Sequence, residues 1–401
     1  MQLELEALKQ KMEGALRWDS VHKTLFATDA SVYKIDPLAV AFPKNKADLK
    51  ELIIFASTQK ISLIPRTAGT SLAGQCVGPG IVVDVSKHFT EIIALDIESR
   101  TVKVQPGVNR DALNVFLATK GLFFGPNTST SQYCLLGGMV GNNSSGTSSI
   151  RYGVTRDVIV SLETLLSDGS EVKFGNCSAA DLKIKTSKKN LEGEIYKSLF
   201  QELGNKKVQH HIKSDFPEVG VHRRNTGYAV DALLNQQPFT QSGTPFNVAK
   251  LLAGSEGTLA FTTSITLALS PLPPKKAVML AVHFNSIQQA MEAVVPVMTH
   301  HLYTCELMDK TILDCTKDHP GYKKNRFFLE GDPKAILLLE LRGDILEVLK
   351  NELKALQKTI INSGLSYATI PLWGEAIVLA NELRNAGLGL LGNIVGDSKA
   401  V

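Results

Sequence analysis

Apolar residues recur at the spacing of one helical face at the start of the chain, where Leu5, Leu8, Met12 and Leu16 predict an amphipathic helix over residues 3–18. Short units follow. Residues 48–58 (DLKELIIFAST) read as a helix with an aspartate near its N-terminus. Residues 61–65 and 80–85 read as strands, and residues 92–95 and 101–104 as two more around a turn at 96–99. Residues 110–119 read as a helix closed by Gly121. This alternation predicts an α+β domain rich in strands. Residues 270–276 (SPLPPKK) mark a domain boundary, because prolines stiffen a linker and end a strand. Beyond it, strands at 277–284, 303–308, 335–341 and 367–371 interleave with helices at 287–298, 345–361 and 375–385. That rhythm predicts a sheet with helices on one face. Residues 208–247 are too long and irregular for a simple connection. They are polar, with Arg223, Arg224 and Tyr228, and are expected to line a site.

The chain has 401 residues, enough for two or three domains. A composition of 44% hydrophobic and 20% charged residues excludes a disordered chain. The net charge of +4 is spread along the chain and leaves no nucleic-acid footprint. No apolar run approaches the ~18 residues of a membrane span. The first residues mix charges with leucines, unlike a signal peptide. Five cysteines without a CxxC spacing read as reduced thiols of a cytoplasmic protein, and argue against a zinc or iron–sulfur site in this stretch.

Glycine is concentrated in three clusters. The first, PRTAGTSLAGQ (residues 65–75), directly follows an expected strand. Its small residues allow several backbone N–H groups to converge on an anion such as a pyrophosphate, and Thr70 and Ser71 add hydroxyls. It is neither a P-loop nor a GxGxxG fingerprint. The second runs from PNTST (126–130) through LGGMVGNNSSG (136–146) to Arg151, Tyr152 and Gly153. It is almost uncharged and rich in amides and hydroxyls, which suits wrapping a large polar-faced cofactor. The third is GSEGTL (254–259), followed by the strand-like FTTSITLAL. Each alone is equally a set of tight turns; a cofactor role gains weight from the three together.

In this order and spacing the clusters resemble the flavin-binding domain of the vanillyl-alcohol oxidase/p-cresol methylhydroxylase (PCMH) superfamily. PRTAGTSLAGQ resembles its PRGGGTSLAGQ pyrophosphate loop, GGMVGNNSSGTSSIRYG resembles GGMIATNASGTRAVRYG, and GSEGTLAF resembles GSEGTLGI. The resemblance covers roughly residues 30–270. Within the superfamily the chain is most similar to FAD-linked D-2-hydroxy-acid dehydrogenases acting on D-lactate, glycolate or D-2-hydroxyglutarate, and RNTGYAVD (224–231) resembles their TGY segment. The GTLAF variant points toward large bacterial members with a C-terminal iron–sulfur module. The resemblance implies an α+β fold: a two-subdomain PCMH-type FAD-binding domain over residues 1–272, then a partial ferredoxin-like α/β cap over 273–401 that carries the substrate site.

By the same resemblance the FAD diphosphate lies on Arg66, Thr67, Ala68, Gly69, Thr70 and Ser71. Pro126, Gly137, Gly138, Asn143, Ser144, Gly146 and Tyr152 line the rest, with Glu256 and Gly257 near the ribityl chain or ring. The flavin-linking histidine of some oxidases is missing beside Gly69, so FAD is expected to be non-covalent. Arg384 in ELR resembles the arginine that binds the substrate carboxylate, a role its fork suits, and Lys399 resembles a lysine that approaches the same substrate.

The family's His-x-Gly-Asp-Gly-Asn-x-His segment, which ligates a divalent metal and holds the proton acceptor, does not occur in this sequence. The chain is therefore expected to be an N-terminal fragment, with no metal ligands of its own and no assigned general base. Any iron–sulfur cluster or divalent metal is expected in the missing part. The implied activity is oxidation of a D-2-hydroxy acid by hydride transfer to flavin N5. Electrons would pass to an iron–sulfur module, a quinone or an electron-transfer protein. The expected location is cytoplasmic or peripheral to the inner membrane face. Two alternatives stand beside this: a flavin-binding electron-relay module inactive alone, and a flavin-dependent ether-lipid synthase.

Overall fold

A computed structural model of the chain describes residues 1–218, 220–221, 223–224 and 227–392. The chain divides into two compact units, one of residues 1–145 and 153–271, the other of residues 146–152 together with the chain from Leu272 onward.

In the first unit, β1 (Ala15–Arg17), β2 (Ala39–Phe42), β3 (Leu63–Arg66) and β4 (Ile81–Asp84) form a sheet in the order β1-β2-β4-β3. β2 and β3 run parallel to β4, and β1 is antiparallel to β2. β4 is buried throughout, as a central parallel strand must be when both faces are covered. The helix Lys46–Gln59 supplies Leu49, Leu52, Ile53 and Ala56 to this core, and the Asn45 side chain caps it by accepting the Asp48 N–H. A second sheet is built from β5 (Ile92–Asp96), β6 (Thr101–Val104), β8 (Ile159–Leu165), β9 (Glu171–Gly175) and β10 (Phe261–Ala268). It is antiparallel throughout, in the order β5-β6-β10-β8-β9. The short β7 (Leu122–Phe123) pairs with β11 (Ser270–Pro271).

The opening apolar stripe is not one helix to residue 18. A helix spans Gln2–Lys11, and Leu16 lies on β1. Leu5, Leu8, Met12 and Leu16 nevertheless enter the same core. The break comes from Asp48, whose buried carboxylate accepts the backbone N–H groups of Glu13 (2.8 Å), Gly14 (2.8 Å) and Lys44 (2.7 Å). Continuing the helix would return the first two donors to carbonyls one turn back. The 208–247 stretch is more regular than expected, with helices Lys206–Asp215 and Val230–Leu234.

The second unit contains β12 (Lys276–Phe284), β13 (Thr304–Asp309), β14 (Ala335–Gly343) and β15 (Ala368–Trp373), all antiparallel, in the order β13-β14-β12-β15. With the helices Ile287–Val297 and Leu346–Ser363 this is a β-α-β-β-α-β ferredoxin-like arrangement. Those helices pack on the face carrying Val278, Leu280 and Val282. The opposite face is not left open, contrary to the one-face expectation. Leu313, Phe328, Ile377, Ala380 and Leu383 cover it against Met279, Ala281, Ile336 and Leu338. The unbroken apolar run AILLLEL on β14 is the sequence trace of burial on both faces.

Candidate functional site

The three glycine clusters meet in the first unit. The second enters on the helix Leu136–Asn142, which ends at Asn143 in the left-handed region at φ 53°. The third cluster pairs with it through main-chain bonds: the Gly254 N–H donates to the Val140 carbonyl and the Glu256 N–H to the Gly141 carbonyl, both at 2.9 Å. Asn142 Nδ2 adds a bond to Glu256 Oε1 at 3.3 Å. Gly257, at φ +73°, touches the first cluster so closely that a Cβ there would stand 2.9 Å from Pro65 Cγ. Gly138 makes the remaining contact, since its Cβ would lie 2.6 Å from Thr67 Oγ1. Side chains at either position would separate the segments, which is the physical use of glycine here.

Within the first cluster, the Arg66 guanidinium lies over the Phe26 ring at 5.1 Å and donates to the Thr28 carbonyl at 2.8 Å. Ser71 Oγ and Asp29 Oδ2 are buried without a hydrogen-bond partner among the described residues. Burial raises the Cys76 thiol to about 11, and the Asp29 carboxylate adds to that. Burial also raises the Glu256 carboxyl above the usual range, opposed by the Asn142 bond.

The other expected residues take varied places. Asn143 is buried and its Oδ1 accepts the Arg156 N–H at 2.8 Å; the Ser144 carbonyl accepts the Thr155 hydroxyl at 2.7 Å. Both thus shape the loop. The Pro126 carbonyl is held by Arg110 Nε at 3.2 Å, and Gly137 packs against Pro106. Gly146 and Tyr152 belong to the second unit, where Tyr152 meets Tyr303 edge-on at 6.2 Å. Burial and Tyr303 raise the Tyr152 hydroxyl to about 12.

Two cations, Arg156 buried and Lys250 half-buried, were not anticipated from the sequence. Arg156 donates through Nε to the Lys250 carbonyl (2.9 Å) and through Nη2 to the Ala253 carbonyl (2.6 Å). Lys250 Nζ donates to the carbonyls of Arg156 (2.7 Å), Asp157 (3.1 Å) and Ile159 (2.8 Å). Burial pulls Lys250 down to about 8 and Arg156 to about 10. This reciprocal clamp fixes the chain just before Gly254. Its trace in the sequence is a lone lysine inside the apolar run NVAKLLAG.

The segment after residue 220 makes contacts with the second and third clusters. Arg223 Nε donates to Ser145 Oγ at 2.8 Å, and the Tyr228 hydroxyl lies 2.7 Å from Thr258 Oγ1. Arg224 pairs with Asp231. Asn142, Ser145, Arg223 and Arg224 line a cavity of about 290 Å³. Asn225 and Thr226 lie outside the described residues.

In the second unit, Arg384 projects from the helix Glu375–Gly392 and is engaged by Glu306 of β13. Lys399 lies outside the described residues. Among the described residues no three His, Cys, Asp or Glu side chains are grouped to hold a metal ion, and no helix is long and apolar enough to cross a membrane.

Two known domain families match parts of the chain. Residues 37–175 match the FAD binding domain family, and residues 273–370 the C-terminal domain of FAD linked oxidases. The two matches follow one another along the chain. It is 31% identical to D-2-hydroxyglutarate dehydrogenase of Pseudomonas putida, over 98% of this chain and 39% of that protein. To the Escherichia coli K12 protein of the same name it is 28% identical, over 99% of this chain and 39% of the relative. Glycolate oxidase subunit GlcD of Bacillus subtilis is 26% identical over 91% of this chain and 64% of its own length. The chain thus spans about 39% of the length of the curated dehydrogenases it matches. A solved alkyldihydroxyacetonephosphate synthase superposes with a TM-score of 0.65 at 14% identity, covering 96% of this chain and 63% of that one, which shows a shared fold.

The residues present fit FAD. Gly138 and Gly257 let the segments approach where a Cβ would force them apart, and the Ser71 hydroxyl, buried without a partner among the described residues, can donate to a phosphate oxygen.

Proposed function

We propose that this chain is the flavin- and substrate-binding part of an FAD-dependent oxidoreductase that converts a D-2-hydroxy acid, of the D-2-hydroxyglutarate or D-lactate class, to its 2-oxo acid. The observation that carries the reading is the meeting of three glycine segments, distant in sequence, the first of which holds the Ser71 hydroxyl buried without a partner among the described residues.

In this reading residues 1–272 hold FAD non-covalently and residues 273–401 form the substrate cap. Arg66, Thr67, Ala68, Gly69, Thr70 and Ser71 take the diphosphate. Pro126, Gly137, Gly138, Asn143, Ser144, Gly146 and Tyr152 line the remainder, and Glu256 and Gly257 face the ribityl chain or ring. Bound FAD supplies a two-electron acceptor for the hydride from C2 of the hydroxy acid. The chain's own contribution is orientation: Arg384 presents a planar fork to the substrate carboxylate, and the Arg156–Lys250 clamp keeps the third segment in place. Electrons then leave to an iron–sulfur module, a quinone or an electron-transfer protein.

The test is the visible spectrum of the purified chain, before and after anaerobic addition of D-2-hydroxyglutarate, D-lactate or glycolate. Flavin bands that survive desalting and move to the supernatant on acid precipitation are expected, with slow bleaching at most by any D-acid, because this sequence holds no His-x-Gly-Asp-Gly-Asn-x-His segment to accept the hydroxyl proton. Absence of flavin after reconstitution refutes the cofactor site. Rapid bleaching by one D-acid establishes the reaction and refutes the need for that segment, and bands that persist mark a flavin module without substrate oxidation of its own.

A further inference from the structure

Arg384 does not stand alone, and the way it is held has a consequence for how it meets a ligand. Its Nε and Nη2 both donate to one oxygen of Glu306, at 3.1 and 2.6 Å, while Nη1 donates to Asn385 Oδ1 at 2.9 Å. A guanidinium has five N–H groups in a rigid plane, with one bidentate edge at Nε/Nη2 and another at the Nη1/Nη2 end. Glu306 occupies the first edge. The plane is thereby fixed and one N–H of each terminal nitrogen is directed away from Glu306.

We propose that Glu306 is a positioning residue: it aims the Nη1/Nη2 end of Arg384 at the carboxylate of the hydroxy acid. The proposal rests on the reading of Arg384 as the carboxylate ligand. Three features favour positioning over a plain tie between helix and sheet. First, the side chains are only 22% and 19% exposed, so the pair is sheltered enough to hold one geometry yet open enough to admit a small anion. Second, Glu306 is two residues before Met308 on β13 and shares its face, where Met308 enters the core. An apolar residue there would extend that core, so packing alone gives no reason for a carboxylate. Third, the neighbouring strand repeats the device. Glu340, paired in register with Thr304, receives Arg342 Nε at 2.6 Å on the same sheet face.

The electrostatic corollary separates aim from charge. Glu306 offsets the charge of Arg384, so ligand affinity depends on fork geometry more than on net attraction. A glutamine keeps an oxygen for Nε and Nη2 and removes the opposing charge, whereas a leucine removes both.

The experiment is calorimetric titration of the FAD-loaded 401-residue chain with 2-oxoglutarate and with D-2-hydroxyglutarate, alongside thermal melts. Glu306→Leu is expected to raise Kd about tenfold or more, as loss of a bidentate contact does. Glu306→Gln is expected to lower Kd about two- to fivefold, the sign expected when a like charge is removed. A tie that is only structural would shift both melting temperatures and neither Kd. Arg384→Leu that binds both acids normally overturns the reading of Arg384 and this proposal with it. Arg384→Leu that abolishes binding, beside a Glu306→Leu chain that binds as the parent does, leaves that reading intact and overturns the proposal. If the leucine variant does not fold, the glutamine variant decides: a Kd lowered about two- to fivefold supports the proposal, and an unchanged or raised Kd overturns it.

Discussion

Replacing Gly257 with alanine tests whether the cradle depends on the close approach of the third glycine segment to the first. The residue sits at φ +73°, where a Cβ costs about 1–2 kcal/mol. The new Cβ would also stand 2.9 Å from Pro65 Cγ and 3.3 Å from Pro65 Cβ, both atoms of a ring at the end of β3 that cannot rotate away. Overpacking of this kind costs about 1–3 kcal/mol. The empty variant relieves the strain by withdrawing residues 254–257 from Pro65, and FAD must then drive the cradle closed. The cost therefore reappears as lost affinity, about 2–5 kcal/mol, or roughly thirtyfold to a few thousandfold in Kd. The assay is quenching of flavin fluorescence as FAD is titrated into apoprotein, with a thermal melt to show that the variant is folded. Gly141→Ala is the matched control. Its Cβ would come no closer than 3.8 Å to Glu256, inside a helix where alanine is preferred by about 1 kcal/mol, so FAD affinity is expected within about twofold of the parent. The reasoning is refuted if Gly257→Ala binds FAD like the parent, or if Gly141→Ala loses as much.

Asp48→Ala leaves the N–H groups of Glu13, Gly14 and Lys44 without their acceptor in a buried site, and a loss of about 3–5 kcal/mol is expected in urea unfolding; a change below 1 kcal/mol would show that water replaces the carboxylate. Glu256 gives a pH signature. Its folded carboxyl is raised by burial, so the folded chain keeps this proton over a range where the unfolded chain has lost it, and stability from this group falls as pH rises between the two values. Melts from pH 4 upward should show the parent losing ground against Glu256→Gln as pH rises, and parallel curves would contradict the shift.

Much of the fold is legible in residue order because its signals are local. Strand periodicity placed β12 to β15 within two residues. Other signals were present but ambiguous. The spacing from Met12 to Leu16 suits a helix, and equally suits a turn and a strand that bury both residues in one core. The choice lies with a carboxylate 34 residues further on. AILLLEL announced burial on both faces without saying what would cover the second.

By itself the sequence determined the three glycine segments, the amide-rich stretch of the second and the arginine on the last described helix, since each is a property of a few adjacent residues. Tertiary structure alone decided that Gly138 meets Thr67, that Gly257 meets Pro65, that Arg156 and Lys250 clamp each other's carbonyls, and that Arg384 is gripped by Glu306. The physical reason is that a charge or a glycine reads the same in a solvated loop as in a buried junction. Its role is set by the partner that long-range packing brings within hydrogen-bond or van der Waals distance, and that partner lies tens to more than a hundred residues away.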